Sequence, residues 1–397
     1  MSGFARLLAV QPQLLAVRTA GTALDLLPHE LLHAGPPLGD PCRPPPVLLS
    51  SAVVTALHEG WATDAAQVAS MVHRGEIRLS PAQSRACVVP LAGLVSCSTP
   101  LFVVGDGHGL VVHAPVSTVR GADTRMGNRD TGLASRLQLR DQQVAPAWQT
   151  ALLGHGPIAL LPLAAAGLAQ GDDLHSRTTA ANLGLAGWLR QHALGDLAVQ
   201  IEATPLFFLT LWMASCALML RSGEHHDPMS LVTRAGGNGE QFGIALAGQP
   251  DRWTCVAAAA PAGRLLDHVP EGTALCGAVG DSAVIDMLGC GGMALADAAE
   301  PLQAFAGFLP DDHASLAGRL LGAHHPQLGR RVGLDARQVV EHEAAPLIAL
   351  AMLAADGRTG FAGRGLYRPP VGLFKAAIDT MPATAQDLDV HRSTPRN

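Results

Sequence analysis

The stretch GAVGDSAVIDMLGCGG, residues 277–292, decides how the chain is to be read. Gly280, Asp281 and Ser282 open a short apolar segment, and Gly289, Gly291 and Gly292 close it. An acid or glycine at the start and a glycine at the end are the marks of a capped helix. Asp281 or Gly280 is placed to cap that helix. Ser282 and the free N–H groups of the first turn then form an anion site, reinforced by the helix dipole. The alternative is an ordinary capped helix with no ligand. Glycines this dense permit either a tight turn between packed helices or a backbone pressed against a ligand. They form no G-x-G-x-x-G run after a strand, which excludes a Rossmann dinucleotide site.

Working outward, residues 1–30 show apolar positions near helical spacing up to Pro28, which predicts a helix. Six prolines between Leu31 and Leu49 force an irregular path, with His33 in a Gly-Pro loop at a strand end. Residues 51–76 read as two helices divided near Gly60, the second capped by Thr63 or Asp64. Gly105-Asp106-Gly107 predicts a hairpin between Val-rich strands. From about 142 to 221 the pattern is helical. After Pro228 strands return at 238–248 and 252–260, and QVVEHEAAPLIALAMLAA (338–355) reads as a further helix. Strands and helices do not alternate regularly, so a doubly wound sheet is not expected. The expected class is α+β: two mixed α/β domains, residues 1–145 and 225–385, separated by a helical domain, 146–224, and followed by a flexible tail, 386–397.

The chain of 397 residues is 48% hydrophobic and 15% charged, enough to bury a large core. Net charge is −6 and no basic stripe is present, which argues against nucleic acid as a partner. Seven scattered cysteines with no C-x-x-C pair point to reduced thiols in the cytoplasm and offer no zinc spacing. The N-terminus lacks a cleavage site and is not read as a signal peptide. ATPLFFLTLWMASCALML (203–220) is uncharged and long enough to span a bilayer, yet it stands alone and carries Pro205, Thr210 and Ser215. It is read as a buried core helix, and no membrane is expected.

Other residues carry chemistry. In GDDLHSR (171–177), Asp172 and His175 are three apart and share a face if helical, so the carboxylate can orient the imidazole. Arg177 can grip a carboxylate or phosphate through two N–H groups. Together they read as an acid–base and anion-binding unit, or as an exposed salt-bridge cluster. His33, Asn238 in an Asn-Gly turn, and His324 are further ligand candidates, each with a structural alternative. The 225/226 and 341–343 groups lack a third ligand, so no metal is expected. No P-loop or G-x-S-x-G is present.

Several of these motifs, in order, resemble the YlbE-like family, whose characterised branch is the AllG-type subunit of oxamate carbamoyltransferase. They are LLHAGPPL (31–38), EGWATDAAQ (59–67), GEIRLSP (75–81), VVPLAGLVSCSTPLFVV (88–104), GPIALLPLAAAGLAQGDDLHSRTTAA (156–181), NGEQFGIALAG (238–248), GDSAVIDMLGCGG (280–292) and GLDARQVVEHEAAPLI (333–348). The resemblance implies carbamoyl transfer between carbamoyl phosphate and a small amide such as oxamate, with no bound cofactor. It also implies an FdrA-type, succinyl-CoA-synthetase-like partner and a third subunit, and a homo-oligomer is compatible with it. The chain departs from the family pattern at several places. Ala82-Gln83-Ser84 replaces a Cys-His-His run, HAPVSTVR (113–120) an Asn-Glu-Gly segment, and Gly237 an arginine. ALAMLA (349–354) replaces Asn-Thr-Gly and Ala-His, and Asp286 stands for a Glu and is expected to fall short of the site.

Three functions follow. The first is a divergent carbamoyltransferase subunit in which His175 moves the proton, assisted by Asp172. Arg177, Gly280, Asp281, Ser282, Gly291, Gly292, His33, Asn238 and His324 would contact substrate. The second is a non-catalytic scaffold or regulatory subunit for an FdrA-type protein. The third is acyl or amide transfer in a specialised biosynthetic pathway.

Overall fold

The computed structural model describes residues 1–117 and 124–381. The tail expected over 386–397, and residues 118–120 of the altered HAPVSTVR segment, lie outside them. The fold is α+β: helices pack around several small sheets rather than alternating along one.

The uncharged segment forms the helix Phe207–Arg221, and every residue from Phe207 to Leu220 is buried. A helix apolar on all sides must be covered on all sides. Phe207–Arg221 packs against the strands Pro100–Gly105 and Val111–Pro115 on the N-terminal side, and against Val232–Asn238 and the helix Ala283–Leu288 on the C-terminal side. It is joined at 90° to the helix Gly195–Glu202, and no single helix among the described residues is long and apolar enough to cross a membrane. One buried cluster runs from Leu14 and Phe102 through Trp148, Phe207 and Trp212 to Ile285 and Ile348. All seven cysteines are unpaired.

The N-terminal sheet has four strands in the order Val111–Pro115, Pro100–Gly105, Gln13–Thr19, Ile158–Ala159. Its first pair is the hairpin expected at Gly105-Asp106-Gly107, and Asp106 Oδ1 accepts from the His108 N–H at 2.8 Å. Asp64 caps the helix Ala65–His73, as its position predicts, accepting from Gln67 N at 2.8 Å. Of the helix expected over residues 1–30 only Gly3–Ala9 and the single turn Ala20–Ala23 are helical, and Gln13–Thr19 is a strand. Seven residues are too few for periodicity to separate helix from strand, and pairing on both edges decides.

A second correction falls on residues 338–355. The helix there spans only Ala336–Glu341, and Ile348–Leu353 is a strand. Pro346 bars continuation of the helix. The apolar run beyond it pairs antiparallel with Phe361–Tyr367, which pairs in turn with Ala262–Leu265. A further sheet joins Val279–Gly280, Val232–Asn238, Gln241–Leu246 and Gln249–Ala257 in that order.

Trp148 stacks on Phe207 with centroids 5.6 Å apart and planes 14° from parallel, and Phe102 meets both edge-on. All three are buried, so Phe207→Ala is expected to leave a cavity between sheet and core helix and cost about 3–5 kcal/mol in urea unfolding.

Candidate active site

A cavity of about 850 Å³ opens beside the fully buried helix Ala283–Leu288. It is lined by the loop 175–179, the start of the core helix, the strands Ala262–Leu265 and Ile348–Leu353, and Ser282. Of the sequence-derived candidates, His175, Arg177 and Ser282 line it, and the other eight do not.

The loop that carries His175 is built by its own acids. Asp173 Oδ1 accepts from the backbone N–H groups of His175, Ser176 and Arg177 at 3.1, 2.9 and 2.8 Å, and its Oδ2 accepts from Ser176 Oγ at 2.7 Å. This carboxylate-centred turn holds Leu174 at a φ of 65°, a left-handed conformation unusual for a bulky side chain. Such strain costs about 1–3 kcal/mol and persists only where the surroundings impose it. Asp172 does not orient His175, because the segment is a turn rather than a helix. It lies 3.2 Å from Arg177 Nε, and accepts from Ala181 N at 2.9 Å, in the first turn of the helix Thr179–Gln191.

The partner of His175 is Asp286, a residue expected to fall short. His175 Nδ1 lies 2.8 Å from Asp286 Oδ2, and Asp286 Oδ1 accepts from Gly292 N at 2.7 Å and Ala349 N at 3.0 Å. The shorter side chain suffices because the backbone comes to it. At Gly291, φ is 57° and a Cβ would collide with the Asp286 carboxylate and the His175 Cβ. The Gly291 N–H also donates to Asp173 O at 2.6 Å, clasping the His175 loop to the glycine turn. Gly289, at φ 118°, closes the helix from its left-handed position. The dense glycines therefore serve the carboxylate and the loop rather than a ligand directly.

Burial works to lower the pKa of His175. The Asp286 charge and hydrogen bond, with Asp173 beyond, outweigh it and hold the imidazole above its ordinary value. Burial pushes the Asp286 carboxyl up against the pull of its three donors, so the two groups titrate as a coupled pair. With Nδ1 occupied, Nε2 is the nitrogen left for chemistry in the cavity.

Asp281 is not a helix cap. It is fully buried and accepts from Gly35 N at 2.8 Å, Gln83 Nε2 at 2.6 Å and Val89 N at 2.8 Å. The helix behind it has six residues and no side-chain cap, so no anion site forms at its start. Gln83 also donates to Ala235 O at 3.0 Å, tying N- and C-terminal segments together at a position where the family pattern has a histidine. Gly280, at φ 121°, lies where a Cβ would strike Leu91. Asn238 closes its own turn, accepting from Glu240 N and Gln241 N and donating to Pro36 O. His33 is sealed, with Nδ1 on Ala34 O and a pKa lowered to about 4 by burial. His324 is exposed on the hairpin opposite Arg331.

Sequence reading missed the charged rim: Arg125, Arg264, Arg364, Asp267 and Glu300 line the cavity with Arg177. Among the described residues no group of three His, Cys, Asp or Glu is disposed to hold a metal ion.

The structure thus defines a mixed α+β chain with a buried Asp–His pair beside a cavity rimmed by arginines. Residues 77–282 match the family model for oxamate carbamoyltransferase subunit AllG, and the chain belongs to that family. It is 28% identical to oxamate carbamoyltransferase subunit AllG of Escherichia coli (strain K12), over 94% of both chains. It is 27% identical to the uncharacterized protein YahG of the same organism, over 88% of this chain and 78% of that one. Its fold superposes on a conserved protein of unknown function from Enterococcus faecalis V583 with a TM-score of 0.86, at 22% identity, covering 96% and 97% of the two chains.

Burial raises the Asp281 pKa from 3.8 to about 7, against the opposing pull of Gly35, Gln83 and Val89. The folded state then binds a proton that the unfolded chain has released, so this group's stabilising contribution is full below pH 3.8 and is lost as pH climbs to about 7. Urea unfolding from pH 4 to 8 should show that decline, and Asp281→Asn should flatten it.

Proposed function

We propose that the chain is the carbamoyl-transferring subunit of an oxamate carbamoyltransferase-type complex, working in the cytoplasm with an FdrA-type protein and a third subunit. The observation that carries this reading is the 2.8 Å His175–Asp286 pair in a cavity rimmed by arginines. A structural histidine needs no strained loop, no clasping glycine turn and no open ring nitrogen.

Carbamoyl phosphate is the donor and a small anionic amide or amine the acceptor. The acceptor nitrogen attacks the carbamoyl carbon; the C–N bond forms and the C–O bond to phosphate breaks. His175 Nε2 takes the proton from the attacking nitrogen and returns it to the departing phosphate, while Asp286 holds the ring and stabilises the imidazolium. Arg177, two residues further along the same turn, binds an anionic group of donor or acceptor. Asp172 steadies Arg177, and Ser282 offers a hydroxyl beside the reacting centre.

Carbamoyl transfer by the assembled complex tests this. His175→Asn should lower turnover by about 10²-fold or more. A variant complex of unchanged activity would show that this subunit is a scaffold and that the chemistry lies in a partner. As a base His175 must be neutral, so the wild-type rate should rise with pH through a pKa above 6.5. Asp286→Asn removes the larger part of what raises it, leaving burial opposed only by Asp173, so the rising limb should move to lower pH as turnover falls.

A further inference from the structure

The cavity is large for the small anions considered so far. At about 850 Å³ it stands near the top of the range that accommodates drug-sized ligands, about 300–1,000 Å³. Carbamoyl phosphate and oxamate together would fill only part of it.

The nature of the wall next to the dyad is informative. Ala349, whose N–H holds Asp286, begins the run Ala349-Leu350-Ala351, and all three line the cavity. Here the family pattern has polar residues. Leu206, Leu265 and Phe361 line it too, and each is partly exposed rather than packed away. Unpacked apolar side chains around one cavity make a surface that gains by contact with an apolar ligand group.

The same sheet bears a charged feature. Arg264 and Arg364 stand directly opposite each other across the antiparallel pair, and Ala351 lies opposite Arg364 on the next strand. Like charges facing across strands are destabilising. Each arginine has one acid, Asp267 at 3.3 Å and Glu300 at 2.9 Å, and all four side chains border the cavity. Two guanidiniums one strand apart, beside an apolar wall, match a carboxylate attached to an apolar group.

We infer that the acceptor is an amino or amido carboxylate bearing a sizeable apolar side chain. Its carboxylate lies on Arg264 and Arg364, its apolar group against Phe361 and Leu206, and its nitrogen is presented to His175. This rests on the carbamoyl-transfer reading for the fate of that nitrogen. The reaction is R–NH2 plus carbamoyl phosphate dianion giving R–NH–CO–NH2 plus hydrogen phosphate. The N–C bond forms, the C–O bond to phosphorus breaks, and the amine proton passes through His175 to the phosphate.

The test is calorimetric titration of the full-length chain with oxamate, glycine, leucine and phenylalanine. Affinity should rise along glycine, leucine and phenylalanine by at least tenfold, about 1.4 kcal/mol, with phenylalanine tighter than oxamate. Phe361→Asn should remove most of that gain while leaving glycine unchanged. Arg364→Gln should weaken the three amino acids together and preserve their order. A flat series, oxamate as the tightest ligand, or no binding by any of the four overturns the inference, and the wild-type series decides even if Phe361→Asn does not fold. Incubating the assembled complex with carbamoyl phosphate and phenylalanine separates the two readings. Binding without a ureido product leaves the ligand class standing and sinks the transfer reading.

Discussion

The Asp286 carboxylate gathers donors from three distant parts of the chain: the His175 ring, the Gly292 amide and the Ala349 amide. Its ion-pair partner among the described residues is an imidazole. A buried carboxylate is costly unless its lone pairs are met, and removing any one donor leaves it short. The turn at 289–292, the strand Ile348–Leu353 and the loop 173–178 are thus mutually dependent. Each is placed by the carboxylate, and the loop and the strand line the cavity.

Asp281, five residues earlier, does a similar task on the opposite flank. Its donors come from Gly35, Gln83 and Val89, all in the first quarter of the chain. One short helix and the residues leading into it therefore carry two buried acids, one facing the site and one facing the N-terminal segment. The core helix Phe207–Arg221 lies against it and against both neighbouring sheets. Packing and polar bonding converge on the same few residues.

Local signals were legible where short-range physics governs. The Asp64 cap, the Gly105-Asp106-Gly107 hairpin and the wholly apolar core helix depend on residues within one element. The strands Gln13–Thr19 and Ile348–Leu353 were misread because both are short apolar runs whose identity is set by partners far along the chain. The site followed the same divide. His175 and Arg177 announced themselves, but the acid that serves His175 lies 111 residues away, and the nearer Asp172 was taken for it. Asp173, with a serine three residues on, is an Asx-turn signature that marks how the loop is made. Nothing local foretold that Arg264 and Arg364 would face each other.

Main-chain amides, rather than side chains, supply two of the three bonds that hold Asp286. Such support does not depend on which residue occupies position 349, since every amino acid except proline offers the same N–H. The wall beside the pair is therefore free to exchange polar for apolar side chains while the His175–Asp286 geometry stays put. A scaffold of this kind separates the lining of the cavity from the bonds that hold the pair, and the Ala349-Leu350-Ala351 run is where the one can change without the other.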